Sequence, residues 1–142
     1  MSIGTLNITV YETSSGPYRT ENILQPSWEQ VEEAIRAPDR DLHPFIWLYR
    51  DEVDEDYCDP ADFEAIGGQG AYHLAYREDE EEWNFQDPAG AEDEVVEVWI
   101  SDQGAAVPAR NVCRDLEQVL RATRVFFDEG TRDPATPWIK AW

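Results

Sequence analysis

Apolar and polar residues alternate along TLNITVY, residues 5–11. Leu6, Ile8 and Val10 stand on one side, and Thr5, Asn7, Thr9 and Tyr11 on the other. A period of two with one apolar side predicts a half-buried strand, and SSGPY after it reads as a turn. The period then changes. In PSWEQVEEAIRAP, Trp28, Val31 and Ile35 recur at spacings of three and four. Ser27 is in place to cap that stripe, with Gln30 three residues on, and Pro38 closes it. This is a short helix with a capping box. PFIWLYR is apolar at both parities, with Phe45, Trp47 and Tyr49 on one side and Ile46 and Leu48 on the other. Such a strand is covered on both faces, which places it inside a sheet.

DFEAIGGQGAYHLAYRE reads as strand, tight turn, strand, with Gly67, Gly68 and Gly70 supplying backbone freedom at the turn. A phosphate-binding loop needs a helix after its glycines. Here Tyr72, Leu74 and Tyr76 alternate instead. DEVVEVWIS is a further strand with Val96, Val98 and Ile100 on one side. The longest helical pattern is VPARNVCRDLEQVLRATRVFFDEG. Pro108 falls in its first turn, Val112, Leu116, Val119, Leu120, Phe126 and Phe127 recur at helical spacing, and Gly130 closes it. TPWIKAW supplies a last short strand with Trp138, Ile139 and Trp142. Two helices and about six strands in hairpin-like succession predict an α+β fold. The expected architecture is a mainly antiparallel sheet, with the short N-terminal and long C-terminal helices packed on it. No internal repeat or long linker divides the chain, so residues 1–142 are expected to form a single domain.

Composition narrows the function. The chain has 31 acidic and 11 basic residues, a formal charge of -20, alongside six Trp, six Tyr and five Phe. That aromatic content suits a packed core rather than an acidic disordered chain. The charge disfavours nucleic acid and anionic membrane as partners, because both are bound through Lys and Arg. It favours a basic protein, since complementary fields accelerate encounter, and a monomer when free. No apolar run reaches membrane-spanning length, and the N-terminus lacks the basic and apolar regions of a signal peptide. Together with only two cysteines, Cys58 and Cys113, read as reduced thiols, this points to a cytoplasmic protein.

Catalytic and metal-binding patterns are weak. His43 and His73 are isolated and read as structural or solvent-facing rather than as bases. Cys58, Cys113, His43 and His73 lack the spacing of a zinc site. DEVDEDYCD tests as a calcium loop and fails: counted from Asp54, position 5 is Cys58, position 6 is Asp59 and position 12 is Ala65. Among 31 acids, carboxylate pairs of the glycosidase kind carry no information without geometry. The reading is a non-enzyme with no metal and no cofactor.

The acids gather in three clusters: Asp51, Glu52, Asp54, Glu55, Asp56 and Asp59; Glu78, Asp79, Glu80, Glu81 and Glu82; and Glu92, Asp93 and Glu94, continuing to Glu97. One such cluster is ordinarily a solvated surface. Three at strand ends and loops, with Tyr57, Trp83, Phe85 and Trp99 nearby, combine steering charge with aromatic anchors. Candidate partner-binding residues are Glu52, Asp54, Glu55, Asp56, Tyr57, Glu78, Asp79, Glu80, Glu81, Glu82, Trp83 and Phe85.

Several of these stretches together resemble a known family. The glycine hairpin IGGQGAYHLAY, the strand VVEVWIS, the helix VPARNVCRDLEQVLRATRVFFDEGTRDP and the closing WIKAW are similar to Imm1, an immunity protein family of bacterial polymorphic toxin systems. SWEQVEEAIRA followed by HPFIWLY fits the same family's opening. This chain departs in setting Asp133 between Arg132 and Pro134. The resemblance implies a non-catalytic antidote that binds a cognate toxin domain, commonly a nucleic-acid deaminase or nuclease. Such enzymes carry basic clefts for phosphate-bearing substrates, to which an inhibitor of charge -20 is complementary. The alternative is an acidic DNA mimic that blocks a DNA-binding enzyme, and a third reading is an enzyme using a carboxylate pair.

Overall fold

The structure, a computed structural model, describes residues 3–11, 18–36, 45–54, 56–57, 59–68, 71–88, 95–98 and 105–141. Its elements run β1 (Thr5–Tyr11), β2 (Tyr18–Leu24), α1 (Trp28–Arg36), β3 (Phe45–Tyr49), β4 (Phe63–Gly68), β5 (Ala71–Glu78), β6 (Glu81–Phe85), β7 (Val95–Val98), β8 (Ala105–Pro108), a 3-10 turn at Ala109–Asn111, α2 (Leu116–Glu129) and β9 (Trp138–Lys140). Seven strands form one sheet in the order β2-β1-β3-β4-β5-β6-β9, and β7 pairs β8 in a second, two-stranded sheet. Every strand pairing among the described residues is antiparallel. The α+β class and the antiparallel sheet expected from the pattern are therefore present.

One sheet face carries both helices. Across it the register aligns Leu6, Leu48, Phe63 and Tyr76 in one row and Ile8, Ile46, Ala65 and Leu74 in the next. Val31, Ala34 and Ile35 of α1 and Val119, Leu120, Ala122 and Phe126 of α2 close over these rows. Phe126 stacks on Phe63 with ring centroids 5.2 Å apart, and Trp28 of α1 meets Phe127 of α2 at 5.6 Å. The predicted caps are present. In α1 the Ser27 and Gln30 side chains each accept from the other's backbone N–H, at 3.2 and 2.9 Å. In α2 Gly130 takes φ 71°, and its N–H reaches the Phe126 carbonyl.

Three features differ from the pattern. β1 is not half-buried, because Thr5, Asn7 and Thr9 are as covered as the apolar side. The chain after β3 folds over them: Thr5 Oγ1 donates to the Asp51 carbonyl at 2.9 Å and accepts from Val53 N at 2.8 Å. Asn22 on β2 donates to the Val53 carbonyl at 3.0 Å. Polar side chains thus satisfy a covering loop. Second, the long helix begins at Leu116, not Pro108. Asp115 is its N-cap, accepting from Glu117 N and Gln118 N. Pro108 instead ends β8, and Val112 packs with Phe45 and Ile66 on the face opposite the helices. The helical spacing of Val112 was shared by two elements on opposite sides of the sheet. Third, β2, β6 and β8 carry no clean alternation, so the pattern does not show them. The VVEV strand, β7, belongs to the small sheet. Ile100, Trp142, Pro38 and most of SSGPY lie outside the described residues.

Arg50 joins these layers at one end of the sheet. Its guanidinium donates twice to the Gly130 carbonyl at the end of α2, at 3.2 and 3.0 Å, to the Arg77 carbonyl at 3.2 Å and to the Tyr76 hydroxyl at 3.1 Å. It also pairs with Asp62 at 3.1 Å. Replacing Arg50 by Ala strips donors from several part-buried acceptors at once. The expected loss is about 3 kcal/mol of folding stability, read as a lower urea midpoint with an unchanged denaturant slope.

Candidate partner-binding surface

Antiparallel pairing brings two of the acidic clusters to the same end of the sheet. The β3–β4 connection, residues 50–62, leaves β3 there, and the β5–β6 hairpin turns there. Two arginines hold the cluster bases together. Arg50 N–H donates to the Asp62 carboxylate at 2.8 Å. Arg77 N–H reaches the Asp62 carbonyl at 2.8 Å, and its guanidinium reaches the Ala61 carbonyl at 2.9 Å.

The run Glu78 to Glu82 is a two-residue hairpin rather than a uniform acidic edge. Glu78 pairs with Glu81 in register, and Asp79 and Glu80 form the tip. Both tip residues have positive φ, 50° and 69°. This is the arrangement of a turn that ordinarily takes Asn and Gly. Side-chain-bearing residues in this left-handed region are strained. Behind the tip the carboxylates are engaged. Glu82 pairs with the Arg77 guanidinium, which also holds Glu64 at 3.2 Å. Glu81 meets Lys140 of β9 at 2.8 Å. Glu78, Asp79 and Glu80 are exposed. Trp83 is half-buried, 5.6 Å from the Tyr76 ring. Phe85, proposed from sequence as a partner contact, is 3% exposed and belongs to the core. Inward alternation along β6 places it there.

Glu52, Asp54, Asp56 and Tyr57 are exposed in the β3–β4 connection. Glu52 accepts from Gln25 Nε2 at 2.8 Å, and Asp54 caps a turn through Asp56 N at 3.0 Å. Tyr57, 45% exposed, stands edge-on to Tyr49 with centroids 5.4 Å apart. Its hydroxyl donates to Asp59 at 3.1 Å, and that bond, ahead of burial, raises its pKa. The loop is thus pinned by Thr5, Asn22 and Gln25, with its carboxylates outward. Glu55, Cys58, Trp99 and residues 92–94 lie outside the described residues, as does His43.

Sequence reasoning missed the cations that support this surface: Arg50, Arg77 and Arg132. Arg77 occupies the polar parity of β5, and that was the available signal. Arg132 lies with its guanidinium carbon 4.0 Å from the Trp83 ring centroid. Asp133 organises the turn into β9. It accepts from Ala135 N, Thr136 Oγ1 and Arg121 Nε, and its carbonyl accepts from Trp138 Nε1 at 2.9 Å. Burial works against its charge, but these donors outweigh it and hold its pKa below the usual range.

The groups with catalytic potential are built into the fold. Cys113 is buried, and its backbone exchanges hydrogen bonds with Tyr72 at 2.9 and 2.7 Å. Burial pushes its thiol pKa up, away from the reactive thiolate. His73 pairs in register with Ile66, and its Nδ1 is buried with no hydrogen-bond partner. Burial, aided by Arg77, lowers its pKa against the opposing pull of Glu64 and Glu82. Among the described residues, no three His, Cys, Asp or Glu side chains converge as metal ligands. Among the described residues, no helix is long and apolar enough to cross a membrane.

Two measurements follow from this geometry. Glu80→Gly removes a side chain from the left-handed tip and should raise folding stability by about 1 kcal/mol in urea denaturation. His73 takes up a proton less readily folded than unfolded, so its contribution is complete above its ordinary pKa of about 6.5 and is lost as pH falls below it. Urea midpoints from pH 7 to pH 5 should therefore fall more steeply for the wild type than for His73→Gln.

A model of the Imm1 immunity protein family matches residues 19–140. The matched span runs from β2 to β9, and β1, just ahead of it, completes the sheet between β2 and β3. A search of curated proteins finds no match. The family match covers the greater part of the chain. The chain belongs to the Imm1 immunity protein family.

Proposed function

We propose that this protein neutralises a cognate toxin domain by applying the acidic end of its sheet to a basic cleft that the toxin uses for nucleic acid, in a deaminase or a nuclease. The protein acts by binding, without catalysis, in the cytoplasm, as a single domain and a monomer when free. The observation that carries the reading is the convergence of two acidic clusters on one rigid end. Glu52, Asp54 and Asp56 beside Tyr57, and Glu78, Asp79 and Glu80 at the hairpin tip, project from backbone held by Arg50 and Arg77. Charges fixed on a rigid support lose little conformational entropy on docking, and a one-sign patch on a chain of formal charge -20 steers a basic partner from a distance.

The partner face has two tiers. Glu78, Asp79, Glu80, Asp54 and Asp56 supply long-range attraction. Glu81 and Glu82 are already neutralised by Lys140 and Arg77, and they shape the hairpin. Phe85 lies in the core rather than on the partner face.

The test is binding kinetics, across a salt series, with whichever toxin domain is found encoded beside this protein's gene. The combined variant D54N/D56N/E78Q/D79N/E80Q should associate about 10-fold more slowly at low salt, with a flatter salt dependence and no loss of melting temperature. A wild-type chain that neither binds the toxin nor protects cells co-expressing it would refute the antidote reading. Comparable affinity for unrelated DNA-binding proteins would favour DNA mimicry.

A further inference from the structure

Arg132 is out of place in the charge pattern. It lies beside a hairpin of five consecutive carboxylates, yet it makes no hydrogen bond or ion pair among the described residues. Its contact is with an aromatic face: the guanidinium carbon is 4.0 Å from the Trp83 ring centroid. Arg77, on the same hairpin, takes both Glu64 and Glu82, and Lys140 takes Glu81. The nearby cations have thus found carboxylates, while Arg132 has been laid on an indole with its donors unclaimed. Stacking on an aromatic face leaves the guanidinium edge and its N–H groups available, since both the π contact and the fork of donors can be satisfied at once.

The stack is also braced. Trp83 is half-buried against Tyr76 at 5.6 Å and has Lys140 Nζ 6.0 Å from its centroid. Tyr76 in turn holds Arg50. Arg132 follows Gly130 by two residues, where the α2 C-cap directs the chain. The guanidinium is therefore held on a supported ring at the flank of the acidic hairpin, rather than left as a free surface side chain.

We propose that the Arg132–Trp83 stack is the specificity point of the partner interface, and that it takes a carboxylate of the toxin in a two-pronged hydrogen-bonded pair. This rests on the antidote reading above and adds the one attractive contact of opposite polarity to it. An all-acidic patch attracts many basic surfaces without fixing a register. A positive fork set into it accepts a partner that presents an acid at that point, and it penalises one that presents another cation. Arg and Trp are also the residue types that dominate binding energy where they are packed and supported.

The experiment compares wild type, R132Q, R132K and the acidic-cluster variant D54N/D56N/E78Q/D79N/E80Q in association and dissociation with the same toxin domain, with melting temperatures of the free proteins. R132Q should dissociate about 10- to 100-fold faster, with an association rate within about 2-fold of wild type and a melting temperature little changed. R132K keeps the charge without the planar fork and should recover only a small part of the loss. On the toxin, replacing the paired carboxylate by its amide should weaken wild type but not R132Q. The inference is overturned if R132Q dissociates like wild type, or if R132K binds as tightly as wild type. It is equally overturned if the loss in R132Q is matched by unfolding of the free protein. If wild type binds and the acidic variant slows association while R132Q changes nothing, this inference falls and the antidote reading stands. If wild type does not bind at all, the antidote reading falls first.

Discussion

The guanidinium of Arg50 reaches the terminal carbonyl region of α2, the backbone of β5, the Tyr76 hydroxyl and the Asp62 carboxylate from one point. These acceptors belong to three parts of the chain, the end of α2, strand β5 and the β3–β4 connection, and the acidic loops leave the sheet at the same place. A cation there is favourable for two reasons. The C-terminal end of a helix carries partial negative charge, and the rings of Tyr76 and Phe126 lie 5.5 and 5.2 Å from the guanidinium carbon. The alignment of helix layer, sheet and loops depends on this one side chain more than on any apolar contact, because apolar packing alone is non-directional.

The same logic runs through the whole acidic end. A chain with 31 acids and 11 bases works against its own compactness. The fold answers with Arg50 and Arg77 at the bases of the loops. Arg77 joins Glu64, Glu82 and the Ala61 carbonyl. Repulsion is relieved where the backbone must be rigid, and left in place at the hairpin tip and the β3–β4 turn, where the carboxylates are exposed. That division separates charges that build the surface from charges available to a partner. It also explains why a run of five acids can sit in a strand pairing at all.

Family membership and composition reach the antidote reading from separate directions. The Imm1 match spans residues 19–140, which include most of the sheet and both helices. The charge lies in loops and a hairpin tip, which the scaffold carries without needing.

The sequence by itself determined the α+β class, the capping box of α1, the αL close of α2 at Gly130 and the doubly covered strand β3, because each follows from local periodicity or local hydrogen bonding. It also determined the acidity and the family. It did not reveal β2, β6 or β8. In YRTENIL and EEWNF the strand character comes from neighbours across the sheet, not from alternation in the segment. It misjudged the polar side of β1, because residues 51–53 arrive from beyond β3 to bond Thr5 and the neighbouring Asn22. The candidate surface divides in the same way. Which residues were acidic was plain in the sequence. Which of them were already paired, that Phe85 was core, and that Arg132 lay on Trp83 with no hydrogen bond or ion pair among the described residues were decided by tertiary structure alone, since ion pairs and stacks form between residues that only the sheet register and the turn after α2 bring together.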